Sequence, residues 1–229
     1  MGNQHTVKLK IAQLNTESPH DVESFVDLDT HTDNTVLGSG CLLIHDTGRR
    51  ADVLGFAAVL GSIELPIVMG AIAYNHPITG KVYILVSHQA IHCHLMDNHL
   101  ICPMQCCING VVINDTPKFC VRNPDDLVHA IEFDDPIDPD ATLHIPLLLC
   151  SVISCFNVRC PNRDKFEDED IPKINMTYES PEWDPANPDW AEQSASTMDL
   201  RVQLHGTEKV IATGSEAIYL PHLYVRARS

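Results

Sequence analysis

The chain is poor in positive charge: 15 Lys and Arg stand against 31 Asp and Glu, a formal net charge of −16 over 229 residues. With no basic stripe to offset it, that balance argues against nucleic-acid backbones and anionic membrane surfaces as partners. No run of 18 apolar residues exists, so no membrane-spanning helix is expected. The first residues, Met1 to Leu14, lack the continuous apolar stretch of an export signal. Glycine signatures are missing as well. Without Gly-x-x-x-x-Gly-Lys, Gly-x-Gly-x-x-Gly or Gly-x-Ser-x-Gly, nucleotide, dinucleotide and serine-hydrolase chemistry are set aside. The cysteines number nine. An odd count with no export signal suits a reducing compartment, so most are expected to be buried thiols in a soluble cytoplasmic protein.

Many short apolar runs with turn punctuation fill the first half. Cys41–His45, Ala51–Phe56, Leu65–Tyr74, Lys81–Ile91 and Cys107–Ile113 read as strands. Asp46-Thr47-Gly48, the stretch Asn75 to Gly80, and Asn109-Gly110 read as the turns between them. One helical turn is expected at Leu100–Gln105. This pattern predicts an all-β domain, a small barrel, over residues 20–115, behind a flexible leader at 1–19. Residues 116–165 hold further strands or linker, with Thr142–Phe156 apolar enough for one or two strands. From residue 166 the composition changes. Residues 166–199 carry ten acids and one Lys, and 166–229 reads as an acidic, Pro-containing, largely disordered linker and tail.

The segment Asp27-Leu28-Asp29-Thr30-His31-Thr32-Asp33-Asn34-Thr35-Val36-Leu37-Gly38 joins an apolar run to a second one through a polar turn that holds two acids. Asp, Thr and Asn are also what an ordinary surface turn uses. The second region of interest is Ser87 to Gln105, whose apolar beat falls on Ala90, Ile91, Leu95, Leu100 and Ile101 before Gln105.

Together these regions resemble the retropepsins, the aspartic peptidases of retroviruses and retrotransposons, and among them the copia type. The first matches the catalytic turn Asp-Thr/Ser-Gly-Ala-Asp/Ser/Thr, with His31 in place of the Gly and Thr32 in place of the Ala. The second matches the later phrase Val-Leu-Tyr-Val-Pro-x-Leu-x-x-Asn-Leu-Leu-Ser-Val-x-Gln. Phrases such as Gln-Ala-Ile-His and Phe-Glu-Asp-Glu-Asp-Ile-Pro also look like a branch of retrotransposon polyproteins in microbial eukaryotes, where a His follows the Asp-Ser pair. The likeness covers residues 20–115 as a domain and reaches about 199 as polyprotein text. No reverse-transcriptase or integrase motif accompanies it.

The resemblance implies an aspartic endopeptidase that needs no cofactor, is complete only as a homodimer, and takes a peptide or polyprotein as substrate. Asp29 from each of two chains would form the catalytic pair. Two carboxylates a few ångströms apart share one proton, so one can activate water while the other protonates the developing oxyanion. Thr30 would hydrogen-bond across the dimer, and Asp33 would accept a bond from substrate backbone. His31 takes a position where the family's Gly lets substrate approach closely. The flap would be the hairpin at Asn75–Gly80 or one near Ala57–Ser62.

Two other classes compete. An inactive retropepsin-like relic or interaction scaffold would keep the barrel without the chemistry. In the tail, Pro181-Glu182-Trp183-Asp184-Pro185 and Asn187-Pro188-Asp189-Trp190 could serve such a scaffold as linear docking sites. A metal-binding module would draw on the His and Cys residues crowded between 88 and 107. Its candidates are His92 with His94 and Cys102 with Cys106, although no paired Cys-x-x-Cys spacing supports them.

Overall fold

The computed structural model describes residues 23–54, 62–136 and 142–193, and these are mostly β. Strand β1 (Glu23–Leu28) buries Ser24, Val26 and Leu28 and turns Glu23 and Phe25 outward, the period of two that one covered face produces. After the short β2 (Val36–Leu37), strands β3 (Leu42–Leu54) and β4 (Ser62–Asn75) form a long antiparallel hairpin. Strand β5 (Val82–His92) is buried along nearly its whole length, as a strand covered on both faces must be. Then β6 (His99–Ile101) leads into helix α1 (Pro103–Ile108).

The second half adds β7 (Val112–Asn114), β8 (Ala130–Asp134) and β9 (Thr142–Pro146), which form a three-stranded sheet of their own. It continues through β10 (Leu148–Cys150), β11 (Ile153–Arg159), helix α2 (Arg163–Glu167) and β12 (Lys173–Asn175). The larger sheet has nine strands in the order β10-β11-β1-β6-β2-β5-β4-β3, with β12 on the edge of β5. A bridge between Arg159 and Ala73 ties β11 to β4, so strands remote in the sheet order meet. Phe156, Leu37, Ile72, Leu85, Ile101, Ile131 and Met176 fill the main core. Among the described residues no helix is long and apolar enough to cross a membrane.

Several expectations change on contact with the fold. Asp46-Thr47-Gly48 does not reverse the chain. It is a bulge inside β3, where the register jumps between Asp46 and Arg50 and Gly48 takes φ 78 while its N–H binds Asp46 Oδ1 at 2.8 Å. The two runs on either side are therefore one strand. Asn109-Gly110 is no hairpin turn either. It ends α1, with Gly110 at φ 83 after Pro103 has opened the helix, the usual placement of the two residues. The helical turn thus sits later than Leu100–Gln105, and Leu100 belongs to β6. The turn at Asn75–Gly80 does join β4 to β5, with the His76 N–H donating to Lys81 O at 2.8 Å.

The acidic segment is not a free linker up to residue 193. Its apolar residues dock it: Phe166 and Ile171 pack on a second core cluster, Ile174 and Met176 enter the main one, and β12 runs parallel to β5. The acids Glu167 to Asp170 simply face outward. A boundary after residue 115 would also cut β1 from its antiparallel neighbour β11. Two of the nine cysteines, Cys150 and Cys155, are bonded to each other across the β10–β11 hairpin, at a Cα separation of 6.4 Å that suits a disulfide. The expected leader at 1–19, most of the loop near Ala57–Ser62 and the stretch 194–229 lie outside the described residues.

Gly38 ends the segment that carries the two acids, and its backbone fit is close. A Cβ there would lie 2.3 Å from the Asn98 carbonyl oxygen and 2.6 Å from that of Met96. Both are main-chain atoms with no rotamer to yield. Gly38→Ala is expected to destabilise the fold by roughly 3 kcal/mol, the upper range for overpacking, read as a lowered urea midpoint at unchanged slope.

Candidate active site

The turn that follows β1 arches over the end of β6. Strand β1 runs parallel to β6, with Leu28 opposite Ile101, and β2 returns antiparallel on its other side, with Val36 opposite Leu100. Asp29 begins the arch, its N–H donating to Ile101 O at 3.1 Å. Its Oδ1 accepts from the His31 N–H at 2.8 Å, the local side-chain bond by which Asp makes a turn. Thr32 continues the arch by donating from Oγ1 to Asn34 O and accepting from Asn34 N–H at 3.2 Å.

The far foot of the arch is fixed from three directions. Thr35 is fully buried. Its N–H donates to Gln105 Oε1 at 2.9 Å, its Oγ1 accepts from Cys102 N–H at 3.3 Å, and its carbonyl accepts from Ile91 N–H at 2.9 Å. Helix α1, the end of β6 and strand β5 thus hold one residue, and the arch is rigid where it re-enters the sheet. Buried hydrogen bonds of this kind cost heavily when one partner is lost.

Above this support the functional candidates are open. The Asp29 side chain is 37 % exposed, and that of His31 is 95 % exposed with Nδ1 3.7 Å from Asp29 Oδ1. Thr30 and Asp33 are exposed as well. Asp29 thus stands at the head of a fixed loop, with a solvent-facing imidazole beside it. The Asp33 carbonyl is already engaged, accepting from the Trp183 indole N–H at 2.9 Å.

The His and Cys residues between 88 and 107 do not converge. His92 ends β5, His94 lies in the following turn, and Cys102, just before α1, and Cys106, within it, are buried in the core. Burial raises the pKa of the Cys102 thiol, and that of Cys106 well above its ordinary value, which opposes the thiolate a metal requires. Among the described residues no three His, Cys, Asp or Glu side chains are grouped to hold an ion. His99 is different. It is fully buried, its Nδ1 accepts from Gly38 N–H at 3.0 Å, and burial, helped by nearby His92, pushes its pKa down to about 4.

No protein family, curated protein or solved structure matches this chain.

Gln89, Arg49, Thr35 and Trp183 belong to the neighbourhood of the arch and are not legible in the turn motif. Thr35 and Gln105 stand 70 positions apart, and Trp183 meets Asp33 across 150. The one sequence signal was the pair of tryptophans in an acidic stretch. Their rings stack, with centroids 5.7 Å apart, and fold back onto the domain.

Proposed function

We propose that this chain is the half-site of a retropepsin-like aspartic endopeptidase, of a copia-type retroelement, that hydrolyses peptide bonds in a polyprotein as a homodimer. The observation that carries this reading is the single, partly exposed Asp29 at the head of an arch whose far foot is locked by Thr35, Gln105 and Cys102. Such a loop holds a carboxylate still while leaving it open to a second copy, and preorganisation of that kind is what acid–base chemistry needs. The ionised Asp29 of one chain takes a proton from water, and the protonated Asp29 of the other gives its proton to the carbonyl oxygen under attack. The bridge between β11 and β4 supports a sheet that curls toward a barrel.

A surface for the second copy lies beside the arch. Asp27 pairs with Cys155, so the β10–β11 hairpin lies alongside the end of β1 from which the arch departs. The hairpin tip there is apolar and open: Val152 is 89 % exposed, Leu148 53 % and Ile153 46 %. Clustered exposure of this kind marks an interaction surface.

The test is peptidolysis by the full chain at mildly acidic pH, measured against concentration. Specific activity is expected to rise with concentration as dimers form. Val152→Asp should lower it about tenfold at low concentration, equivalent to about 1.4 kcal/mol of association, with recovery at high concentration. A folded dimer that cleaves nothing would overturn the reading. It would favour the second one, a silent scaffold, for which the His31 ring 3.7 Å from the Asp29 carboxylate is the specific observation.

A further inference from the structure

Strands β12 and β2 lie end to end along one edge of β5. β12 pairs in parallel with Ile84, Leu85 and Val86, and β2 pairs in parallel with Ile91 and His92. The chain leaving β12 therefore runs straight toward the arch, and it diverts where β5 changes partner. Thr177 marks the divergence: its Oγ1 accepts from His88 N–H at 2.8 Å and donates to His88 O at 2.7 Å.

Gln89, next along β5, has an unusual backbone. Its φ is 54, in the left-handed region, within a bulge where His88 and Gln89 together oppose Met69 between the pairs Val68–Ala90 and Gly70–Ser87. A non-glycine residue held there costs about 1–3 kcal/mol and persists only when its surroundings fix it. Bulges of this type re-aim a side chain. Here the buried Gln89 amide grips a strap of main chain. Nε2 shares its two hydrogens among the carbonyls of Tyr178, Glu179 and Pro181, at 3.2, 2.7 and 3.0 Å, and Oε1 accepts from Trp183 N–H. Arg49, on the long β3–β4 hairpin, donates to Gln89 Oε1 and to Glu182 Oε2, both at 3.0 Å. Trp183 closes the set through its indole bond to Asp33 O.

Two features separate this strap from the strand before it. Its contacts with Gln89 are made by backbone atoms, while the Glu182 carboxylate and the Trp183 indole anchor it through side chains. From Tyr178 to Gln193 no residue is buried, whereas Ile174, Met176 and Thr177 are. The strap is held by hydrogen bonds at the surface, the kind of segment that opens locally without unfolding its domain.

We propose that Gln89, Arg49 and the Asp33 carbonyl form a binding site for a bent stretch of peptide main chain, and that the chain's own Tyr178–Trp183 occupies it as an internal competitor. The ligand class is a turn-forming peptide that gathers its carbonyls on Gln89, with an acidic side chain opposite Arg49 and a hydrogen-bond donor reaching Asp33. That the displacing ligand is the peptidase substrate rests on the function proposed above; the binding site does not.

The test uses full chains and a fluorescently labelled synthetic peptide of the sequence 177–190. A chain carrying Glu182→Ala and Trp183→Ala, with its strap weakened, should bind the labelled peptide at least tenfold more tightly than the parent, read by anisotropy. Adding Gln89→Gly to that chain should abolish binding. Glycine accepts φ 54 without strain, so the fold survives, checked by far-ultraviolet circular dichroism. No binding by the folded strap variant, or binding indifferent to Gln89→Gly, would overturn the site. Where peptidolysis is measurable, the strap variant should show a KM at least fivefold lower. An unchanged KM alongside tight peptide binding would overturn the substrate as the displacing ligand and leave the binding site standing.

Discussion

Asp29→Asn is expected to abolish peptide cleavage while leaving the fold and the dimer intact. The change is structurally mild, because the asparagine Oδ1 can accept the His31 N–H as the carboxylate does at 2.8 Å, and the side chain is 37 % exposed. The chemistry is not conserved. An amide neither takes a proton from water nor returns one, and positioned acid–base catalysis of this kind contributes roughly 10²–10⁴ in rate. A homodimer loses both carboxylates at once, so the fall should be at the upper end of that range or beyond detection. Mixing makes the prediction sharper. When the variant is titrated into the parent and chains exchange, activity should follow the square of the parental fraction, leaving about a quarter at equal proportions for a twofold site. A fall that is linear in the parental fraction would mean that each chain acts alone, and the shared site would be wrong.

How far the sequence led is clearest residue by residue. The apolar runs Leu65–Tyr74 and Lys81–Ile91, with turn residues between them, are local patterns with a single physical reading, and both fall on strands. Asp46-Thr47-Gly48 is ambiguous by nature: the residues that reverse a chain also make a bulge, and only pairing with β4 decides between them. Pro103 and Gly110 bracket a helix whose apolar content, read alone, suited a strand. The acidic stretch misled because charge was counted and placement was not. Phe166, Ile171, Ile174 and Met176 dock it while the acids face solvent. At the candidate site, Asp29 could be found from its turn chemistry. The parts played by Thr35, Gln105, Gln89 and Trp183 could not, although the segments that hold them stand out in the sequence, since each acts through a partner at least 40 positions away, a relation that exists only once the sheet has formed.

The same fold should limit how far into acid the proposed peptidase can work. His99 is fully buried, and its pKa stands at about 4 against an ordinary 6.5. With Nδ1 accepting from Gly38 N–H at 3.0 Å, the native ring is neutral and carries its proton on Nε2, which has no partner among the described residues. The unfolded chain binds a second proton to this ring below pH 6.5, and the folded chain does so only below about 4. Between those values the unfolded state holds more protons, so stability falls as pH falls. The loss grows to roughly 3 kcal/mol by about pH 4 and levels off below it. Urea unfolding at pH 7 and at pH 4.5 measures it. His99→Asn keeps an acceptor for Gly38 and cannot titrate. It should flatten the difference between the two pH values, even where the smaller side chain lowers stability at both. A shared-proton carboxylate pair favours mild acid, whereas the buried imidazole beneath Gly38 opposes it. Activity should therefore rise on mild acidification and then collapse together with the circular dichroism signal. If His99→Asn leaves the pH dependence of stability unchanged, the acid limit has another source and the buried imidazole is not what sets it.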